Sequence, residues 1–148
     1  METKFLECRY SEQEKPFDWH FHNTYELIYV CSGAARFSIG KACYDAGAGS
    51  VLFISKLEEH SVEMIETPYR RYFVQLTSSQ LEQCAEEIEL KSIFVSRPPG
   101  FSHCLSLGGR ERDAEALLGE LERESHAPVS YTHLDVYKRQ KRGPEGET

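Results

Sequence analysis

Between Phe17 and Leu76 no run of the chain carries a helical repeat. Short segments rich in Tyr, Ile, Val and Phe recur instead, roughly every 8–12 residues, each closed by a turn signal. Tyr25–Ser32 reads as a buried strand that Gly33 breaks, and Ala34–Ile39 as a second strand. Gly40-Lys41 supplies a tight hairpin turn into Ala42-Cys43-Tyr44, and Asp45–Gly49 is a turn cluster. Val51–Ile54, Ser61–Ile65 and Arg70–Leu76 continue the series, with Thr67-Pro68 separating the last two. Parallel strands need long crossover connections, usually helical, and none fits here. The pattern therefore predicts a mainly β, antiparallel barrel or sandwich. Upstream, residues 4–10 read as an edge strand, 11–16 as a polar loop ending in Pro16, and Phe17–His22 as extended chain.

Beyond Leu76 the period changes. Ser79-Gln-Leu-Glu82 has the form of a capping box, and Leu81, Cys84, Ala85 and Ile88 follow at one-face helical spacing. Ile93–Ser96 reads as a short strand and Pro98-Pro99-Gly100 as a turn. Gly108-Gly109 precedes a second helix, about 110–125, striped by Ala114, Leu117, Leu118 and Leu121. The domain reading is a barrel over about 4–76 and a helical part over about 79–127. Residues 128–148 are polar and without period, so they are expected to be disordered.

The chain has 148 residues and a formal charge of −7. Its last 21 residues hold four basic and three acidic side chains, so the acidity belongs to residues 1–127. A domain this acidic is poorly suited to grip phosphate backbones by itself. Five scattered cysteines, with no CxxC pair, fit reduced thiols rather than a disulfide framework. The N-terminus has no apolar signal core, and no apolar run approaches the roughly 20 residues that span a membrane. A cytoplasmic location is expected.

Chemistry concentrates at His20, His22 and Glu26. Side chains alternate along a strand, so an unbroken strand would turn all three to one side. His60, after the run Ser50–Ser55, is the best fourth member. Such a cluster is a metal site, a polar anchor for a small ligand, or a set of core groups satisfied by one another. No role is expected for His103, His126 or His133. Trp19, Phe37, Tyr44, Phe53 and Phe73 read as core. There is no Ser-His-Asp pattern, P-loop or GxGxxG.

The spacing His-x-His-x3-Glu-x6-Gly, from His20 to Gly33, resembles the first motif of the cupin superfamily, and Gly49-x10-His60 resembles the second. The sequence departs from the family at Glu14, at Ser55-Lys56-Leu57 and at Met64. Cupins with the full set hold Fe, Mn, Ni or Zn through three His and one Glu, which would here be His20, His22, Glu26 and His60. A wider pattern, Tyr25–Gly33, Ile39–Tyr44, Gly49–Ile54 and Arg71–Leu76 with the helical ending, resembles the sensor half of AraC-type transcription regulators over residues 1–127. That resemblance implies a cupin-like barrel followed by two helices. It implies a small, sugar-like effector bound at His20, His22, Glu26 and His60, with no cofactor, no resident metal and no catalysis. It also implies a homodimer formed through Leu117, Leu118 and Leu121, and DNA contact only through a separate C-terminal domain. Val129–Gln140 resembles non-native read-through sequence, which implies a natural continuation that differs after about residue 127. The alternative is a metal-dependent cupin enzyme, an isomerase or dioxygenase, using the same four residues.

Overall fold

The computed structural model describes residues 7–84, 91–95 and 97–126. Seven strands form one antiparallel sheet: β1 Glu7–Gln13, β2 Phe17–His20, β3 Tyr25–Ile39, β4 Ala42–Gly47, β5 Ser50–Ile54, β6 His60–Leu76 and β7 Cys104–Ser106. Two helices are described, α1 Ser78–Cys84 and α2 Glu111–His126. The main strand order is β1-β6-β3-β5-β7, with β2 added to β6 and β4 to β3.

β3 and β6 form the spine. They pair along nearly their whole length, from Tyr25↔Leu76 to Ile39↔His60. The sequence reading divided each of them in two, at Gly33 and at Thr67-Pro68; both are continuous. The reason lies in the register, which shifts between Val30 and Ala35 and absorbs both interruptions inside the ladder. Gly33 is what permits this. It has φ +75°, and a Cβ there would overlap the carbonyl oxygen of Pro68 and stand 2.5 Å from that of Glu66.

The run Tyr25–Val30 shows why β3 lacks a polar face. Ile28 and Val30 join Phe37, Leu52, Ile54, Val62 and Tyr69 in the inner core. Tyr25 and Tyr29 point the other way, into clusters closed by α2 and the 93–107 segment. A strand covered on both sides reads as unbroken apolar sequence. Trp19, taken as core, is instead half exposed: on β2 its neighbour His20 takes the inward direction, so Trp19 faces solvent.

The capping box falls two residues earlier than read. Gln80 N–H donates to Thr77 Oγ1 (3.2 Å) and Thr77 N–H donates to Gln80 Oε1 (2.9 Å), so the helix begins as soon as β6 ends. Ala85 and Ile88 of the proposed stripe lie outside the described residues, as do residues 1–6 and the tail. Of the expected strand Ile93–Ser96, Ser96 lies outside the described residues and residues 93–95 form no strand. Phe94 and Val95 N–H both donate to Lys91 O, closing a turn that sets the Phe94 ring against Tyr25 and Phe53. The late strand is β7, paired with β5.

α2 is fastened to the edge strand β1. Ser125 Oγ accepts from Cys8 N–H (3.2 Å) and donates to Cys8 O (2.9 Å), while Leu118 and Leu121 pack against Cys8, Val74 and Leu76. The strand is thereby covered against further pairing. Leu117, from the same stripe, is 67 % exposed. The dimer set therefore divides: two leucines pack on the barrel and one faces out. Cys8, Cys31, Cys43 and Cys104 are free, and burial pushes the Cys8 and Cys31 thiols up to about 11. Those two are small apolar core groups at neutral pH. No described helix is long and apolar enough to cross a membrane.

Candidate functional site

His20, His22, Glu26 and His60 do converge, but not on one unbroken strand. β2 ends at His20, the chain bends at Asn23-Thr24, and Glu26 enters from β3. Asn and Thr favour such a bend. His60 opens β6 directly opposite His20. The imidazole centroids lie 4.2 Å apart for His20 and His60, 4.9 Å for His20 and His22, and 5.5 Å for His22 and His60. One nitrogen from each falls within 4.8 Å of the others.

Two tautomers follow from backbone contacts. His60 Nδ1 is 3.0 Å from Glu58 O, and His20 Nδ1 is 2.7 Å from Asp18 O. A carbonyl oxygen can only accept, so each Nδ1 carries a proton, and in the neutral ring each Nε2 then presents a lone pair. Burial pushes His60 below the usual imidazole range. The Glu58 carbonyl and Glu26 oppose that shift, and His20 and His22 add to it.

Glu26 is buried. Its Oε1 stands 3.9 Å from Nε2 of both His22 and His60, too far for a hydrogen bond, and accepts none. Its Oε2 has one long contact, 3.4 Å from Gln75 Nε2. Buried carboxylate oxygens are rarely left this way unless a bound group completes them.

These four residues line a cavity of about 200 Å³, whose walls also include Phe17, Arg71, Phe73 and Gln75. That is the scale of a small ligand. The sequence reading missed Arg71 and Gln75 and favoured core over pocket for Phe73. The signal was present: on β6 they share parity with Tyr69, and polar side chains on the inward parity of a strand need a reason.

The donor set fits a mid-row divalent metal as well. Two imidazoles have their outer nitrogens fixed by backbone carbonyls and a third stands beside them, with an unpartnered carboxylate oxygen near two of the three.

A second cluster lies where the turn before His60 meets the C-terminal segment, and His103, given no role from sequence, is central to it. Glu58 Oε1 accepts from Ser55 N–H (2.8 Å), and both carboxylate oxygens are 2.9 Å from Arg97 Nη1. Oε2 also accepts from His103 Nε2 (2.9 Å). That leaves His103 Nδ1 to accept from Tyr44 O–H (2.9 Å), while the Tyr44 oxygen accepts His103 N–H (3.1 Å). Arg97 also donates to Ile93 O and Phe53 O and lies over the Phe101 ring. Burial pushes the Glu58 carboxyl up, but Ser55, His103 and Arg97 together outweigh it and hold it below the usual range.

The AraC-like ligand binding domain family matches residues 6–130. No curated protein is similar in sequence. Among solved structures, a cupin-2 domain protein of Shewanella frigidimarina is 22% identical over 50% of this chain and 72% of its own, with a TM-score of 0.43. A cupin domain of Schizosaccharomyces pombe is 10% identical over 56% and 64%, with a TM-score of 0.48. A predicted oxalate decarboxylase of Thermotoga maritima is 20% identical over 47% and 64%, with a TM-score of 0.43. Likenesses at these values carry no argument about activity. The family match, which spans barrel and helix alike, does carry the assignment: the chain belongs to the AraC-like ligand-binding domain family, of cupin type.

Proposed function

We propose that this domain is the effector-sensing part of a transcription regulator, binding a small, hydroxyl-rich, sugar-like molecule at His20, His22, Glu26 and His60. The observation that supports it best is the buried Glu26 Oε1, without a hydrogen-bond partner among the described residues, on the wall of a small cavity that Phe17 and Phe73 also line. Hydroxyl groups can donate to that oxygen and to the imidazole lone pairs while a C–H face stacks on Phe17 or Phe73. No reaction is assigned to these residues: sensing requires a ligand-biased equilibrium. DNA is reached only through a DNA-binding domain that follows this one in the full-length cytoplasmic regulator. The decisive experiment is calorimetric titration with a library of polyols and sugars. A binder whose affinity falls at least about tenfold in Glu26→Gln, with the melting temperature preserved, supports the reading. A library without binders, or a binder indifferent to Glu26→Gln, overturns it.

Self-association belongs to the same proposal, and Leu117 is the residue of the stripe left free to mediate it. Leu117→Glu should give a folded monomer in light scattering where the parent is a dimer. A variant that stays dimeric removes Leu117 from that role.

The fixed Nε2 lone pairs favour one rival, a metal-dependent cupin enzyme. His20, His22, His60 and Glu26 would hold the ion, and a bound divalent metal would supply Lewis acidity at an open position. Elemental analysis decides between the two. Near-stoichiometric Fe, Mn, Ni or Zn, lost in His22→Ala, would install the enzyme reading.

A further inference from the structure

Arg71 carries a charge on the cavity wall that forms no ion pair among the described residues. Its guanidinium lies over the Phe73 ring, 5.0 Å from the centroid. Nε donates to Ser11 Oγ (3.2 Å) and Nη1 to Gln13 Oε1 (2.8 Å), both neutral groups reaching in from β1. Among the described residues it forms no ion pair, although Glu26 lines the same cavity. Glu26 stays with the imidazoles and Gln75. A half-buried cation without an anion is unfavourable, and holding one in place from two sides adds ordering cost. Such an arrangement is what a site for an anionic ligand looks like before the ligand arrives.

The wall of the cavity carries two complementary kinds of group. Acceptors without donors among the described residues are Glu26 Oε1 and the Nε2 lone pairs of His20 and His60. Four residues along β6 from Gln75, the cross-strand partner of Glu26, stands a cationic donor, the Arg71 guanidinium. A neutral polyol would match the acceptors and leave the cation uncompensated. A cationic ligand would be repelled by Arg71. A dianion such as a phosphate ester would meet one guanidinium and also the Glu26 carboxylate. A monocarboxylate with hydroxyls a few bonds away matches both kinds of group at once.

We propose that the ligand of this cavity is a small hydroxylated carboxylic acid, its carboxylate received by Arg71 and its hydroxyls by Glu26 and the imidazoles. This rests on the sensing reading and narrows it. Calorimetry with matched probes tests it: D-galacturonate against D-galactose, and D-gluconate against D-glucitol, each acid compared with its uncharged counterpart. The acid of at least one pair should bind at least about tenfold tighter than its neutral partner, the scale of one charge-assisted hydrogen-bonded pair. Arg71→Gln should remove that preference while leaving binding of the neutral partner in place. Arg71→Lys, which keeps the charge and loses the fork, should retain part of it and guards against a folding failure of the first variant. Equal or tighter binding of the neutral partners, or a preference that survives Arg71→Gln, overturns the carboxylate assignment and leaves the sensor intact. Absence of binding in both series overturns the assignment together with the sensing reading.

Discussion

Two polar clusters, each at least partly buried, lie on either side of one turn, and they are satisfied to opposite degrees. Around Glu58 the carboxylate, the guanidinium of Arg97, both nitrogens of His103 and the hydroxyl of Tyr44 all have partners within 3.2 Å. Around Glu26 the nearest imidazole nitrogens stop at 3.9 Å and one oxygen has no partner. Both contain a glutamate and histidine, so residue type does not separate them; closure does. A saturated network has no capacity left for a ligand and contributes to the fold. An unsaturated one weakens the fold slightly and keeps its capacity for something that binds.

The largest test of that contrast is Glu58→Ala. It strands Arg97 and His103, and should lower stability by about 2–3 kcal/mol in urea denaturation, less than a fully buried pair because the cluster is partly wet. Arg97→Lys comes next: the charge survives, but the forked contacts to Glu58, Phe53 and Ile93 do not, for about 1 kcal/mol. Acid gives a more gradual effect. Glu58 titrates below its usual range in the folded protein, so the unfolded chain binds its proton first. Its contribution is complete above the unfolded carboxyl range and is lost as pH falls below about 4.5, by at most about 1.4 kcal/mol per pH unit. Denaturation midpoints taken from pH 6 to 3 should lose that part of their slope in Glu58→Ala. The smallest effect belongs to Glu26→Gln, within about 1 kcal/mol of the parent and of either sign, because the oxygen it removes had no partner. If Glu26→Gln destabilised as much as Glu58→Ala, the two clusters would be one kind of thing and the cavity merely imperfect core.

The same contrast explains what could be read in the sequence. The pocket glutamate and histidines were legible because their spacing is local: His20, His22 and Glu26 fall within one short stretch, and His60 follows a turn signal. The parity argument expected these side chains to converge, and they do, but by another path: the Asn23-Thr24 bend separates them and tertiary packing brings them back. The Glu58 cluster was not legible. Its partners come from four separate segments, Tyr44, Ser55–Glu58, Arg97 and His103, and nothing in their spacing marks them as neighbours. Arg71 fell between these cases, because its inward parity was readable but was outweighed by the apolar run around it. The β pattern was plain from turn chemistry. The continuity of β3 and β6 was not, because a glycine or a proline that ends most strands was here accommodated by a shift in register. β7 has three residues and little burial, too short to leave a period.

The turn Ser55–Glu58 touches both clusters through its backbone. Leu57 N–H donates to His22 O (2.8 Å), and Glu58 O holds the His60 ring, while the Glu58 side chain and Ser55 Oγ, which donates to Phe94 O, grip the C-terminal segment. Leu57 itself is pinned at φ 65°, a conformation that leaves a branched residue little slack. One turn of four residues is therefore shared: its backbone holds two pocket histidines, and its side chains hold Phe94, Arg97 and His103.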